Sequence, residues 1–361
     1  MAVTTASRLW DSRADLLQDS LDHFFGTAEP QLYNNAYPMG AQDNQTFNYW
    51  WLAHLIDVRL DAYERSGESA RLEQAQAVYH NILERNHGSL FNDYFDDMLW
   101  YALAIVRLFD ATGRPQYLAA SIAIWEHVIA QGWNEEQGAS LAWRKQQLYY
   151  KNTPANGPLI ILGCRLHARD RRPSRPQYLE YAQTAFNWLT QTLVNPATGF
   201  VEDGINREQD GRVDTHWRFT YNQGLYVGAA VELAQATSST DLIDIAARTA
   251  TTTISELATA GVFADEGAGG DEGLFKGIYY RYLGLLLDQL EESDQSRTLR
   301  DFVRVSTDIL WRQAPPAAGY YLAANDWTGP AQRRMSYSTE LSAIMATELR
   351  ARMENIGRSG P

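Results

Sequence analysis

The feature that most constrains this chain is an alternation between two kinds of helical segment, sustained almost from end to end. Six segments share one form: a polar or glycine-containing lead, an apolar run rich in small residues, and a charged exit. They begin at Thr46 (T-F-N-Y-W-W-L-A-H-L-I-D-V-R-L), Asp97 (D-M-L-W-Y-A-L-A-I-V-R-L-F) and Asn156 (N-G-P-L-I-I-L-G-C-R-L). The second three begin at Tyr221 (Y-N-Q-G-L-Y-V-G-A-A-V-E-L), Leu274 (L-F-K-G-I-Y-Y-R-Y-L-G-L-L-L) and Ser336 (S-Y-S-T-E-L-S-A-I-M-A-T-E-L). Successive starts lie 51, 59, 65, 53 and 62 residues apart, too long for tetratricopeptide-like repeats and right for one helical hairpin plus a long loop. Between the runs lie plainly amphipathic stretches: Arg8 to Phe25, Arg71 to Glu84, Gln116 to Gln131, Gln177 to Leu193, Asp241 to Leu257 and Arg297 to Trp311. Twelve helices alternating between mostly buried and half-exposed predict an all-α double ring of hairpins. The inner ring touches neighbours on all sides, and its glycines and alanines let helices approach closely.

Strand-like alternation is scarce, with short pieces such as Gly199 to Asp203 and Tyr320 to Leu322 suited to small loop hairpins. No linker, charge block or low-complexity tract divides the chain, and the Pro-containing stretch from Arg169 reads as a turn between helices. A single domain over residues 1–361 is the expectation. The lone cysteine, Cys164, sits in an apolar run and reads as a small buried side chain. A net charge of −13 with no basic run argues against nucleic acid or an anionic membrane as partner. The N-terminus has no apolar signal core and no stretch reaches the ~18 apolar residues of a membrane span. The chain as it stands therefore reads as cytoplasmic, or as secreted if it is a trimmed mature form, and as a monomer.

Chemistry concentrates in the turns that lead into the inner helices. In a closed ring all six inner N-termini point to one end, so these turns converge on one cleft. At the second of them, N-D-Y-F-D-D-M-L-W from Asn92 places Asp96 and Asp97 where a polar turn becomes a helix. Acidic residues in a first turn also favour the helix dipole by ~0.3–1 kcal/mol each, with Asp93 as N-cap. Capping explains one turn at a time, however, and not the aromatic and amide residues that accompany the pair. The candidates for binding a polyhydroxylated ligand are Asn44, Asn92, Tyr94, Trp143, Lys151, Asn152, Asp214, Trp217, Tyr221, Asn222, Lys276 and Tyr337. Amides and charged groups suit hydroxyls, and aromatic faces suit the C–H surface of a sugar ring.

Two carboxylates are the minimum equipment for glycosidic hydrolysis. Consecutive residues have Cα atoms ~3.8 Å apart and side chains diverging by ~100° on a helix. That brings carboxyl groups within the ~5–5.5 Å of a retaining enzyme, whereas the ~6.5–9.5 Å of an inverting one would be strained. Other chemistries are poorly served. The seven histidines include no H-E-x-x-H, and no G-x-S-x-G elbow, P-loop or dinucleotide fingerprint occurs. G-A-G-G-D-E-G from Gly267 reads as a flexible loop. A magnesium-dependent diphosphate enzyme would want further acids one turn after the pair, where Trp100 stands. No metal and no cofactor are expected.

These residues resemble glycoside hydrolase family 76, the endo-α-1,6-mannanases and related fungal wall proteins. The resemblance rests on D-Y-F-D-D-M-L-W-Y-A-L-A from Asp93, Y-K-N-T-P-A-N-G from Tyr150, F-T-Y-N-Q-G-L-Y-V-G-A-A-V-E-L from Phe219 and L-F-K-G-I-Y-Y-R-Y-L from Leu274. It implies an (α/α)6 barrel and retaining hydrolysis of α-1,6-mannosidic bonds in an α-mannan-like substrate. Asp96 matches the family's nucleophile and Asp97 its acid/base. The alternatives on the same toroid are a sugar isomerase or epimerase, an unsaturated-uronyl hydrolase, and a transglycosylase or glycan-binding protein.

Overall fold

Each of the six apolar runs forms a helix, and several end on a clear backbone stop. The first, α2 (Tyr49–Ser66), and the second, α4 (Phe95–Thr112), finish at Gly67 and Gly113, whose φ of 74° and 66° are left-handed values that glycine adopts without strain. The others are α6 (Thr153–Arg169), α8 (Thr220–Thr237), α10 (Glu272–Leu287) and α12 (Tyr337–Ile356). Each packs on the next, and α12 packs back on α2, so the inner ring closes. The amphipathic stretches form α1 (Thr5–Phe25), α3 (Ser69–Arg85), α5 (Pro115–Gly132), α7 (Tyr178–Thr192), α9 (Asp241–Leu257) and α11 (Asp294–Leu310) around it. The first of these, α1, packs on α12 and so joins the two ends of the chain. The computed structural model describes residues 5–28, 31–267, 269–312, 319–329 and 332–356; Met1–Thr4, read above for a leader, lie outside these ranges.

Small residues set the helix spacing, as the composition of the runs predicts. A Cβ added at Gly224 of α8 would stand 2.6 Å from the Tyr279 Cα of α10, and one at Gly277 would stand 2.7 Å from the Ser342 Cα of α12. One contiguous apolar core runs through all the hairpins. Cys164 is buried in it. Among the described residues no helix is long and apolar enough to cross a membrane.

The strands fall elsewhere than the alternation pattern indicates. Val201 makes only an isolated bridge to Val194, and Tyr320 to Leu322 form no strand. Instead an antiparallel sheet forms from β2 (Trp133–Asn134), β3 (Ser140–Arg144), β4 (Gln147–Asn152) and β5 (Gly204–Ile205), in that order. Its register pairs Trp133 with Leu141, Ala142 with Lys151 and Lys151 with Ile205. Buried polar side chains clamp it. The Lys151 ammonium donates to the carbonyls of Asn134 (3.0 Å) and Ser140 (2.6 Å), and Asn156 exchanges two 2.9 Å bonds with the Leu141 backbone. Shorter pairs join β1 (Ala36–Tyr37) to β8 (Met335–Ser336), and β6 (Ala258–Thr259) to β7 (Val262–Phe263).

Candidate active site

The entrance to α4 is tied to the sheet before it is capped. Tyr94 bridges to Arg144, and the Lys145 amide donates to the Asp93 carbonyl at 3.0 Å, so the β3–β4 hairpin lies against the start of the helix. Tyr94, not Asp93, holds the N-cap position, and its side chain makes no capping bond. The first-turn carboxylates are therefore not explained by a conventional cap. The hairpin delivers Trp143, whose indole N–H donates to Asp96 Oδ2 at 2.9 Å. The backbone N–H of Asp97 donates to Asp96 Oδ1 at 3.0 Å. Asp97 receives one amide bond, from Asn92 Nδ2 to Oδ2 at 2.9 Å, and Asn92 is itself fixed by accepting from the Tyr94 N–H.

This unequal solvation separates two otherwise identical side chains. Burial pushes both carboxyls upward, Asp96 to about 7. Asp97 stands well above the usual carboxylate range, because the charge of Asp96 adds to burial. Two N–H donors favour the ionised form of Asp96, and the helix N-terminus favours one negative charge here. The first proton therefore leaves Asp96 and the second stays on Asp97. Among the described residues no nearby cation cancels the effect: Arg207 is the one basic residue of these that lines the cleft, and its guanidinium is engaged by Asp203 (2.7 Å) and Asp214 (2.9 Å).

The cleft has a volume of about 520 Å³ and walls of mixed aromatic and polar character. Tyr221 lies flat against Phe275 with ring centroids 4.0 Å apart, and its hydroxyl donates to Asp203 Oδ1 at 3.1 Å. Trp50 and Trp100 are inclined at 32° with centroids 6.4 Å apart. Trp217, 46% exposed, is backed by the Arg207 guanidinium 4.1 Å from its ring and turns its other face outward. Flat apolar faces beside directional acceptors suit a sugar ring, which is apolar on its C–H face and polar at its edge. Among the described residues, no group of three or more His, Cys, Asp or Glu is arranged to hold a metal ion.

Of the residues singled out from the sequence, Tyr94, Trp143, Asn152, Trp217 and Tyr221 line the cleft beside Asp96 and Asp97. Asn92 acts on Asp97 from behind. The fold takes up the rest. Lys151 is a strand clamp, Lys276 is buried and donates to the Asn325 carbonyl, and Asn222 is buried and donates to Asp203. Asp214 accepts from Tyr150 and Arg207, Tyr337 packs edge-on to Trp51, and Asn44 braces Asn34 and Asn35. A polar residue ahead of a helix serves loop folding as readily as ligand binding, and here burial decided which. Sequence reasoning missed Trp50, Trp100, Asp203, Arg207 and Phe275, and left Asp271, one of the acids at the fifth entrance, out of the candidates; all six line the cleft. For Trp50, Asp271 and Phe275 the available signal was position, at or just before the first turn of an inner helix; Trp100 falls in the second turn of α4, and Asp203 and Arg207 stand before no inner helix.

Solved structures of similar shape carry the same double ring. The Lin0763 protein from Listeria innocua is 45% identical, with a TM-score of 0.91 and coverage of 96% of this chain and 98% of that one. An inactive variant of the α-1,6-mannanase of Salegentibacter sp. HEL1_6, with two consecutive aspartates replaced by asparagine, was solved in complex with α-1,6-mannotriose. It is 33% identical, with a TM-score of 0.86, over 95% of this chain and 99% of that one. The mannan endo-1,6-alpha-mannosidase DCW1 of Candida glabrata is 26% identical over 157 residues, 40% of this chain but only 34% of that protein's length. The sequence profile of glycosyl hydrolase family 76 matches residues 9–355, and the chain belongs to that family.

Proposed function

We propose that the protein is a retaining glycoside hydrolase that cleaves α-1,6-mannosidic bonds, with Asp96 as nucleophile and Asp97 as acid/base. The observation that carries the reading is the pair itself, adjacent in the chain and unequal in partners. The Salegentibacter relative, held inactive by changes at two consecutive aspartates and bound to an α-1,6-linked mannotriose, supports the same sugar and linkage here. Among the described residues no histidine lines the cleft, which counts against an isomerase that moves protons with imidazole.

In the first step Asp97 gives its proton to the glycosidic oxygen while an ionised oxygen of Asp96 attacks the anomeric carbon. The C–O bond to the leaving sugar breaks, and a mannosyl ester forms on Asp96. Asp97, now ionised, takes a proton from water, whose oxygen displaces Asp96 and frees mannose of the original anomeric configuration. Loss of the first negative charge as the ester forms lowers the cost of ionising Asp97 beside it, so one pair serves both steps. The test is hydrolysis of an α-1,6-mannotetraose followed by proton NMR. The α-anomer should appear first. Initial release of the β-anomer would overturn retention, and no cleavage by the wild type would overturn the linkage.

A further inference from the structure

A third carboxylate stands at the mouth of the cleft on a strut of its own. Asp271 occupies the N-cap position of α10, yet its side chain makes no capping bond. Its Oδ1 instead accepts two indole N–H groups from α2, Trp50 at 3.0 Å and Trp51 at 2.7 Å. Helices α2 and α10 are not neighbours in the ring, since α12 lies between them, so this carboxylate spans the entrance above the start of α12. At Gly270 the segment before α10 is tied down, where the sequence reads as a flexible loop. Gly269 and Gly270 have φ of 98° and 71°. The Gly270 N–H donates to Ser336 Oγ at 3.1 Å, and the Gly270 carbonyl accepts from Ser338 Oγ. Ala268 of the same loop lies outside the described residues.

We propose that Asp271 is the substrate-positioning carboxylate of this cleft, fixing the Trp50 face with Oδ1 and accepting a mannosyl hydroxyl with Oδ2. The inference rests on the mannanase reading of the same site. Among the described residues no donor reaches Oδ2, while Oδ1 is saturated by two indoles. Trp50, Phe275 and Asp271 all line the cleft, and Trp50 and Phe275 are inclined at 35° with centroids 6.4 Å apart. A sugar seated on these rings would therefore have the free oxygen at its edge. The charge has a second effect. After burial and their mutual interaction, Asp271 adds to what holds Asp96 and Asp97 in their protonated forms. The other groups around the pair are Tyr49 and His54 on α2, Tyr94 just before α4, Tyr221 on α8, Glu272 on α10, and Asp203 with its partner Arg207. Of these, Arg207 is already matched by two carboxylates, and His54 is buried and held neutral, lowered to about 3 by burial.

The experiment compares wild type, Asp271→Asn and Asp271→Ala on α-1,6-mannotetraose across pH. Asparagine keeps an acceptor for the indoles but loses the charge, and KM should rise about tenfold, with a smaller change in kcat. The alkaline limb should move to lower pH. Alanine should lose the Trp50 setting as well and fall further in kcat/KM. An Asp271→Asn enzyme with wild-type KM and an unmoved alkaline limb would overturn the proposal. Melting temperature against pH, measured without substrate, gives an independent reading: Asp271→Asn should gain most near neutrality, where the pair ionises. If the wild type fails to cleave the tetraose, the mannanase reading falls. Asp271 is then judged by that melting profile, and an unchanged profile overturns its charge effect.

Discussion

The two ends of the inner ring use the same residue types and reach opposite electrostatic states. At the cleft, Asp96 and Asp97 stand side by side with amide and indole donors and, among the described residues, no free cation, and burial drives both toward protonation. At the far end, Asp57, Asp61 and Glu64 project from α2 with arginines set between them. Arg107 reaches Asp57 (2.8 Å), Asp61 (2.8 Å) and Glu64 (2.9 Å), and Arg281 reaches Asp61 at 2.7 Å. Burial alone would raise Asp61 too, yet Arg281 and Arg107 hold it down to about 2. Helix polarity accounts for part of the division. Inner N-termini, with their unpaired N–H groups, face the cleft and tolerate carboxylates, whereas the C-terminal halves at the far end favour guanidinium groups. A carboxylate is thus held near protonation at one end and serves as a rivet at the other, and the difference lies in what surrounds it.

The largest effects should separate these roles. Asp97→Asn removes the proton donor, and kcat on an unactivated mannan oligosaccharide should fall about 10²–10⁴-fold. Asp96→Asn removes the nucleophile and should fall at least as far. Both variants should nevertheless be more stable than wild type at neutral pH. The folded carboxyls hold their protons more tightly than the unfolded ones, so stability falls as pH rises from about 4 through the folded pKa, which for Asp96 is about 7. An amide avoids that loss. The gain, of about 1–2 kcal/mol after allowing for water in the cleft, should disappear below about pH 4 in urea titrations. Lower stability than wild type at pH 7 would mean that the pair is not strained by its site.

The far end should respond the other way. Arg107→Ala leaves buried Asp57 without its arginine and Asp61 with Arg281 alone, and should cost about 3–5 kcal/mol of stability, measured by denaturant unfolding, with KM almost unchanged. Asp61 is depressed, so its contribution is present above the unfolded value near 4 and is lost as pH falls through about 2. Arg107→Ala should therefore narrow its stability deficit in acid, while the Asp96 and Asp97 variants lose their advantage there. Parallel pH profiles for the two classes would break the comparison.

The ring itself was legible because its signal is long and redundant. Apolar periodicity recurs in every hairpin, and each helix needs only the correct face. The cleft end was legible in part, since D-D at a helix entrance is a rare local pattern. What lay hidden depends on contacts between distant segments. Asp203 ends the strand-like piece from Gly199 and Arg207 lies in the loop beyond it, and both gain their place only when β5 pairs with β4. Lys151 and Asn156 look like ligand residues in the sequence Y-K-N-T-P-A-N-G, yet they serve the backbone of β2 and β3. A buried ammonium needs carbonyl partners wherever it can find them, and sequence spacing does not reveal whether those partners are protein or sugar. Asp271 was visible as an acid before α10 but not as the acceptor of two indoles from the opposite side of an intervening helix.

The smallest of the expected effects is also the most discriminating. Trp143→Phe keeps an aromatic ring against Tyr94 and Tyr150, whose centroids lie 5.5 and 5.7 Å from the indole, and removes only the N–H held by Asp96. A hydrogen bond to a charged group contributes about 1.5–3 kcal/mol, so Asp96 should bind its proton about one to two units more tightly. The acid limb of kcat/KM should move to higher pH by that amount, with less than a tenfold loss at the optimum. The alkaline limb, which follows Asp97, should stay nearly fixed, although both limbs belong to the coupled pair. A loss of rate with no movement of the acid limb would mean that Trp143 acts as a face for the sugar. The inequality between Asp96 and Asp97 would then have to come from the Asp97 backbone N–H and the helix terminus alone, a weaker device than the one that pins Asp61 at the other end.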